Sequence, residues 1–295
     1  MEMGGEWCRA QNFGAFLSNR NHDGHDHAMN IPNDTSGNSR FHWRIMRWIM
    51  WRFTRNATRR VLVDRSLRNM SGQEFRWLQG DINCFLSEVK SEVAHLRPMA
   101  QLGGLPNFGS RLMVEFAIYT VAADRTLRDR DLDPASARDV LADIGWSVYR
   151  QLLALSSLPA RLVARDPGKR VRWSIRGLLI FPFRPVGAPG YAAEVFRDGE
   201  DLHTHFTHCP PQSFARRIAD ETGDPEALAG FANSWCTYDW PGADLIAADG
   251  HRGHYIRRRT LSAGDPVCDM CWVAQARREA NEDNPDDRQR SVTTD

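Results

Sequence analysis

Lysine is almost missing from this sequence. Only Lys90 and Lys169 occur in 295 residues, so arginine carries nearly all of the positive charge. That bias fits a GC-rich, bacterial coding preference and points to no mechanism. No run of about 20 apolar residues occurs, which predicts no membrane-spanning helix. Six cysteines are too few in so long a chain for a disulfide scaffold. The first forty residues lack the apolar core of a secretory signal, so the expected setting is a reducing cytoplasm. The 38 basic residues nearly cancel the 37 acidic ones, and no global field argues for nucleic acid. A Gly-rich phosphate loop, a G-x-S-x-G elbow and an H-E-x-x-H motif are all absent, which demotes nucleotide-dependent and serine-hydrolase chemistry.

What is present is globular in composition, with 42% hydrophobic and 25% charged residues. Residues 1–40 are polar and read as a disordered tail, with a histidine cluster at His22, His25 and His27. Residues 41–70 open on a basic aromatic segment, FHWRIMRWIMWRFTRNATRR. It predicts a helix that packs on the body or touches a partner, or lies on an anionic membrane through residues 41–60. Residues 71–277 read as one α+β domain, and 278–295 as a second loose tail.

Within the domain, Ser71 and Glu74 have capping-box spacing before a periodic helix over 72–96, on which Cys84 is expected to be a small buried residue. A further helix is expected over 110–127. Asp133-Pro134 starts the next, with Val140, Ile144, Val148 and Leu152 as its apolar stripe, and Asp166-Pro167-Gly168 closes the region. Residues 171–183 fit a strand or a buried helix. Strands are expected at 191–197 and 201–208, helices at 211–222 and 225–240 with Asp224 as N-cap of the second, and a strand pair at 254–262 and 267–274. The expected fold is an N-terminal helical bundle on a small antiparallel sheet with two further helices.

Chemistry-bearing residues gather in the C-terminal third. In HTHFTHC, period two puts His203, His205, Thr207 and Cys209 on one strand face, and a histidine beside a cysteine favours the thiolate. In SWCTYD, helical spacing puts Cys236 and Asp239 on an apolar stripe with Trp235. Burial there would raise the carboxyl pKa toward general acid–base work, whereas a frayed end before Pro241 would leave Asp239 merely solvated. Cys268 and Cys271 form a C-x-x-C, which Cys209 or Cys236 plus a histidine could complete as a zinc site. On a strand the two would point to opposite faces. Arg257 and Arg259 could share a face and hold a substrate carboxylate.

Taken in order, HCPPQSF, SWCTYD and RRRTLSAGDPVCDMCW resemble the L-2-amino-thiazoline-4-carboxylic acid hydrolase family, over about residues 105–275. The resemblance implies hydrolysis of a cyclic amidine, opening 2-aminothiazoline-4-carboxylate toward N-carbamoyl-cysteine, in bacterial specialised metabolism. It implies motif positions Cys209, Cys236, Asp239, Arg257, Thr260, Gly264, Asp265, Cys268 and Asp269. The expected catalytic set is Cys209, Cys236, Asp239, Cys268, Asp269, His205 and His208. Arg257, Arg259 and Thr260 are expected to bind a small-molecule substrate, without cofactor unless zinc is held. The alternative is a non-catalytic Cys/His metal or redox sensor.

Overall fold

The computed structural model describes residues 37–276. The cluster His22, His25 and His27 lies outside the described residues, as do nearly all positions of both expected tails. Eight α-helices and six strands follow in chain order. They are α1 (Gly37–Leu62), β1 (Leu67–Arg68), β2 (Glu74–Phe75), α2 (Gln79–Leu96), α3 (Phe108–Arg128), α4 (Pro134–Val163), α5 (Pro167–Ile180), β3 (Ala192–Asp198), β4 (Asp201–His208), α6 (Pro210–Thr222), α7 (Glu226–Ser234), α8 (Asp239–Ala247), β5 (Tyr255–Ile256) and β6 (Cys268–Trp272). This is the expected α+β architecture.

The central element is α3. It is buried almost all round its circumference, as a helix with apolar or small residues on every side must be. Helices α2, α4, α6 and α7 pack around it, and α1 reaches it through Trp51 on Tyr119 and Arg47 on Glu115. Such burial forces its charges to find partners. Glu115 is fully buried between Arg97 (2.6 Å) and Arg47 of α1 (3.2 Å). Asp124 pairs with Arg128 (2.9 Å), and Arg128 also reaches Asp224 (2.8 Å).

Sheet order is β3-β4-β6-β5, with every pair antiparallel. Its inner face carries Leu202, Thr204 and Phe206 of β4 and Cys268, Met270 and Trp272 of β6. Helices α5 and α8 and the C-terminal half of α4 close over part of that face, in a core of Leu153, Val171, Ile175, Leu202, Ile246, Tyr255 and Trp272.

Several local expectations need correction. Helix α1 begins at Gly37, inside the expected tail, and shares the main core through Met50, Ala57 and Leu62. The Ser71–Glu74 spacing belongs to a hairpin turn. Gly72 sits at φ +80°, where glycine alone is unstrained, and Ser71 bonds to Asn69. The capping carboxylate is Asp81, which accepts from the Leu78 N–H at 2.9 Å. Cys84 is half-buried on α2, not fully buried. On α4, Leu153 is buried and Leu152 exposed, one residue off the expected stripe.

Asp166 opens a helix instead of closing a region. Its carboxylate accepts from the Lys169 N–H (2.7 Å), and residues 171–180 are helical. Asp224 does not cap α7; its oxygen takes Arg125 and Arg128. The second strand pair is short, because a 3-10 turn at Leu261–Ala263 and Gly264 at φ +94° occupy most of its first arm.

Candidate active site

The helix expected over 225–240 breaks in two, and the break builds the site. Pro241 has no N–H to give an i−4 carbonyl, so a helix cannot run through it. Instead it stands in the first turn of α8, where the donor is not needed. Upstream, the Ser234 hydroxyl donates to the Gly230 carbonyl (2.7 Å) and the Thr237 hydroxyl to the Ser234 carbonyl (2.8 Å). Such bonds compete with the helical ladder. Residues 235–237 tighten into a 3-10 turn, and Asp239 begins α8. Cys236 and Asp239 therefore reach one cavity from a corner, not from a continuous stripe.

That cavity measures about 120 Å³. Helix α5 supplies Ile175, Leu178 and Leu179, and the sheet supplies Thr204, Phe206, Cys268, Met270 and Trp272. Tyr149, Tyr191 and Trp235 add aromatic walls. The polar lining includes Cys209, Gln212, Cys236, Asp239, Arg257 and Ser262. A largely apolar pocket with a few convergent polar groups is what a small-molecule site requires.

Asp239 lies deep in it. Its Oδ2 accepts from the Tyr255 hydroxyl (3.2 Å) and stands 3.6 Å from Arg257 Nη1. The Arg257 side chain is only 8% exposed and lies over the Trp240 ring at 4.6 Å, an arrangement that favours a desolvated cation. Burial pushes the Asp239 carboxyl up to about 6, although Arg257 and Tyr255 pull it down. Burial also pushes the Cys236 thiol up to about 11 and lifts Cys209 well above the usual thiol range. Both thiols are therefore protonated at neutral pH. Cys236 Sγ is 3.3 Å from the Ser262 hydroxyl, and Cys268 Sγ accepts from the Leu261 N–H at 3.2 Å.

No family model, curated protein or solved structure matches this chain. The site must be read from its own geometry.

Five expected residues meet in the cavity: Cys209, Cys236, Asp239, Arg257 and Cys268. Cys209 enters it because β4 ends at His208. The chain turns into α6 there, so strand alternation no longer sets its direction. The expected face shared with His203 and His205 is thus not formed. His205 stands on the outer sheet face, edge-on to Phe196. His208 is held by the Gly190 carbonyl (2.6 Å) and the Ser213 hydroxyl (3.2 Å), outside the cavity lining. Neither histidine serves as base there.

Asp269 also points outward, accepting the N–H groups of Arg258 and Arg259 and the Arg259 side chain. Burial raises its pKa, but the bonds from Arg259 and Arg258 outweigh it and hold the carboxyl below the ordinary range. It organises the loop, as Asp265 does by accepting the Thr260 N–H at 2.8 Å. Arg259 is exposed and paired to Asp269, so it does not share the Arg257 face. Thr260 supports Cys268, with Oγ1 3.5 Å from its sulfur. The C-x-x-C splits as strand alternation requires: Cys268 faces the cavity and Cys271 stands 3.6 Å from His203 on the other side. Among the described residues, no group of three or more His, Cys, Asp or Glu is arranged to hold a metal ion.

Two lining tyrosines carried no sequence signal, and Trp235 was read only as part of an apolar stripe. Tyr255 and Tyr149 reach the cavity from elements read only for their periodicity. Trp235 divides it from a smaller cavity of about 40 Å³ between α1, α2, α3 and α4, and its Nε1 donates to Thr120 (2.7 Å). The only available hint was that the chain has just five tyrosines, two of which, Tyr238 and Tyr255, lie within the motif-bearing third. Tyr238, next to Asp239, is fixed by a bond to the Ala142 carbonyl (2.7 Å). Gly145 permits it, since any side chain there would overlap the phenol.

Proposed function

We propose that this chain hydrolyses a small cyclic amidine or related amide-type substrate, by direct attack of water with Asp239 as the proton carrier. The observation that carries this reading is a carboxyl with a pKa near 6, buried beside Arg257 in an apolar pocket. A base poised near the working pH is the most effective one. Ionised Asp239 takes a proton from water, and the hydroxyl adds to the C=N carbon. The tetrahedral adduct collapses to the urea carbonyl by breaking the carbon–sulfur bond. The ring nitrogen, which has taken the C=N electron pair, receives the proton of the adduct hydroxyl, and the Asp239 carboxyl returns its proton to the sulfur. One water is consumed and one thiol released. Arg257 retains donors beyond those facing Asp239, and it is the group suited to a substrate carboxylate.

The neutral thiols argue for this route over covalent catalysis. Neither sulfur shows a hydrogen bond to a carboxylate or a histidine, and Cys236 faces the Ser262 hydroxyl instead, so Cys209 and Cys236 serve as polarisable walls and weak donors. Incubation with 2-aminothiazoline-4-carboxylate, followed by mass spectrometry and thiol titration, tests the reading. Gain of one water with stoichiometric thiol release is the expected result. Activity within about tenfold of the parent is expected for Cys209→Ala and Cys236→Ala. Complete loss in either, with folding intact, would point back to a covalent thiol. No turnover of this compound or of related cyclic amidines would overturn the proposal.

Trp235 sets the size limit. Its truncation to Ala joins the two cavities. Bulkier ring substituents should then be accepted, with KM for the small substrate rising by roughly tenfold, an effect of about 1–3 kcal/mol for a lost apolar contact. A panel of 5-substituted thiazolines checks this, and an unchanged size profile would show that the partition is not limiting.

A further inference from the structure

The near-neutral total charge conceals a strongly one-sided arrangement. Residues 41–63 contain six arginines and no acid, and residues 144–193 contain eight basic residues and one acid, Asp166. That acid is occupied in capping α5. The fold puts these two segments together. Helix α1 packs on α4, and α4 on α5. Trp43 of α1 meets Phe108 edge-on at 5.2 Å, and Phe108 stacks on Phe181 at 6.1 Å, so a chain of rings joins the start of α1 to the end of α5.

These helices also expose large apolar side chains. Exposure reaches 61% at Trp48, 71% at Leu155, 77% at Leu162 and 76% at Ile180. On α5, Trp173 and Ile180 are seven residues apart on one exposed side, and the exposed Arg176 lies between them. Arg44, Arg52 and Arg165 are exposed around the patch. Aliphatic and indole side chains interleaved with arginines, on α1, α5 and the acid-free half of α4 after Asp143, are the pattern of an interfacial membrane-binding surface.

We infer that the face formed by α1, the C-terminal half of α4 and α5 docks on an anionic lipid bilayer. Charge selects this occupant. A second copy would bring two cationic faces together. A nucleic acid would use the arginines but leave Leu155, Leu162 and Ile180 against water. A bilayer takes both, with headgroups meeting the guanidinium groups and tryptophans near the interface. No helix among the described residues is long and apolar enough to cross a membrane, so the contact is one of lying on the surface. The inference does not rest on the hydrolase reading.

The test is co-sedimentation of the full chain with vesicles of phosphatidylcholine alone, and of phosphatidylcholine with about 30% phosphatidylglycerol. Partition into the anionic vesicles should be at least tenfold stronger and should weaken with added salt. Each arginine near the surface contributes about fivefold. The pair Arg44→Gln and Arg52→Gln should therefore lose at least tenfold, and so should Leu155→Ser with Leu162→Ser. All four positions are exposed, and unchanged thermal melts would separate lost docking from lost folding. Equal binding by parent and variants, or no vesicle binding, would overturn the inference. So would a solution dimer dispersed by the leucine variants, or a duplex DNA bound through these arginines in preference to lipid.

Discussion

Substitution of Asp239 by Asn should lower kcat/KM for the cyclic amidine by about two to four orders of magnitude, the usual contribution of a general base. In the parent, kcat/KM should rise with pH through an apparent pKa of about 6 and then level off. Tyr255→Phe removes a hydroxyl that donates to the carboxylate and lowers its pKa. That limb should therefore move to higher pH while the plateau changes little. A pH profile that ignores Tyr255→Phe would remove Asp239 from the role of titrating base.

The same group makes a stability prediction with a definite sign. Its folded pKa lies above its ordinary value of 3.8, so the folded chain holds the proton more tightly than the unfolded one. The stabilisation from protonation is present below about pH 4 and is lost as pH rises through 6. Asp239→Asn has no such loss. Between pH 4 and pH 7 the stability difference should move toward the variant by roughly 2–3 kcal/mol, at 1.36 kcal/mol per unit. Denaturant titrations at both pH values measure it, and a pH-independent difference would contradict the assignment.

The second large effect concerns Glu115. Its carboxylate is fully buried and bridges Arg47 of α1 to Arg97 after α2. Glu115→Ala leaves two partly buried guanidinium groups facing a cavity, at a cost of about 3–5 kcal/mol. Because Arg47 is one of the ties between α1 and α3, hydrogen exchange should quicken along α1 well before the sheet is affected. Uniform loosening across the whole chain would show instead that α1 and the sheet unfold as one unit.

These two carboxylates mark what the sequence could and could not tell. The helix at α3, the apolar stripe of α4 through Val148, the Asp133-Pro134 start and the β3–β4 hairpin were legible, because local rules and the tertiary fold agree there. Three motifs pointed to Cys209, Cys236, Asp239, Arg257 and Cys268, and the fold brings all five to one cavity. His205, His208, Asp269 and Arg259 belonged to the same motifs but face elsewhere. A strand that ends just before a cysteine, or a loop that folds around a carboxylate, changes direction without changing spacing. Glu115 was invisible for the opposite reason: nothing local distinguishes a buried glutamate from a solvated one until its arginines arrive from elsewhere in the chain.

Helix α5 lies at the edge of the molecule, where substitutions usually accumulate freely. One side of it lines the cavity through Ile175, Leu178 and Leu179, and the other presents Trp173 and Ile180. A helix with obligations on both sides has no idle surface on which drift is harmless. Its relatives should therefore vary less along these fourteen residues than along the buried interior of α3, where one aliphatic side chain can replace another.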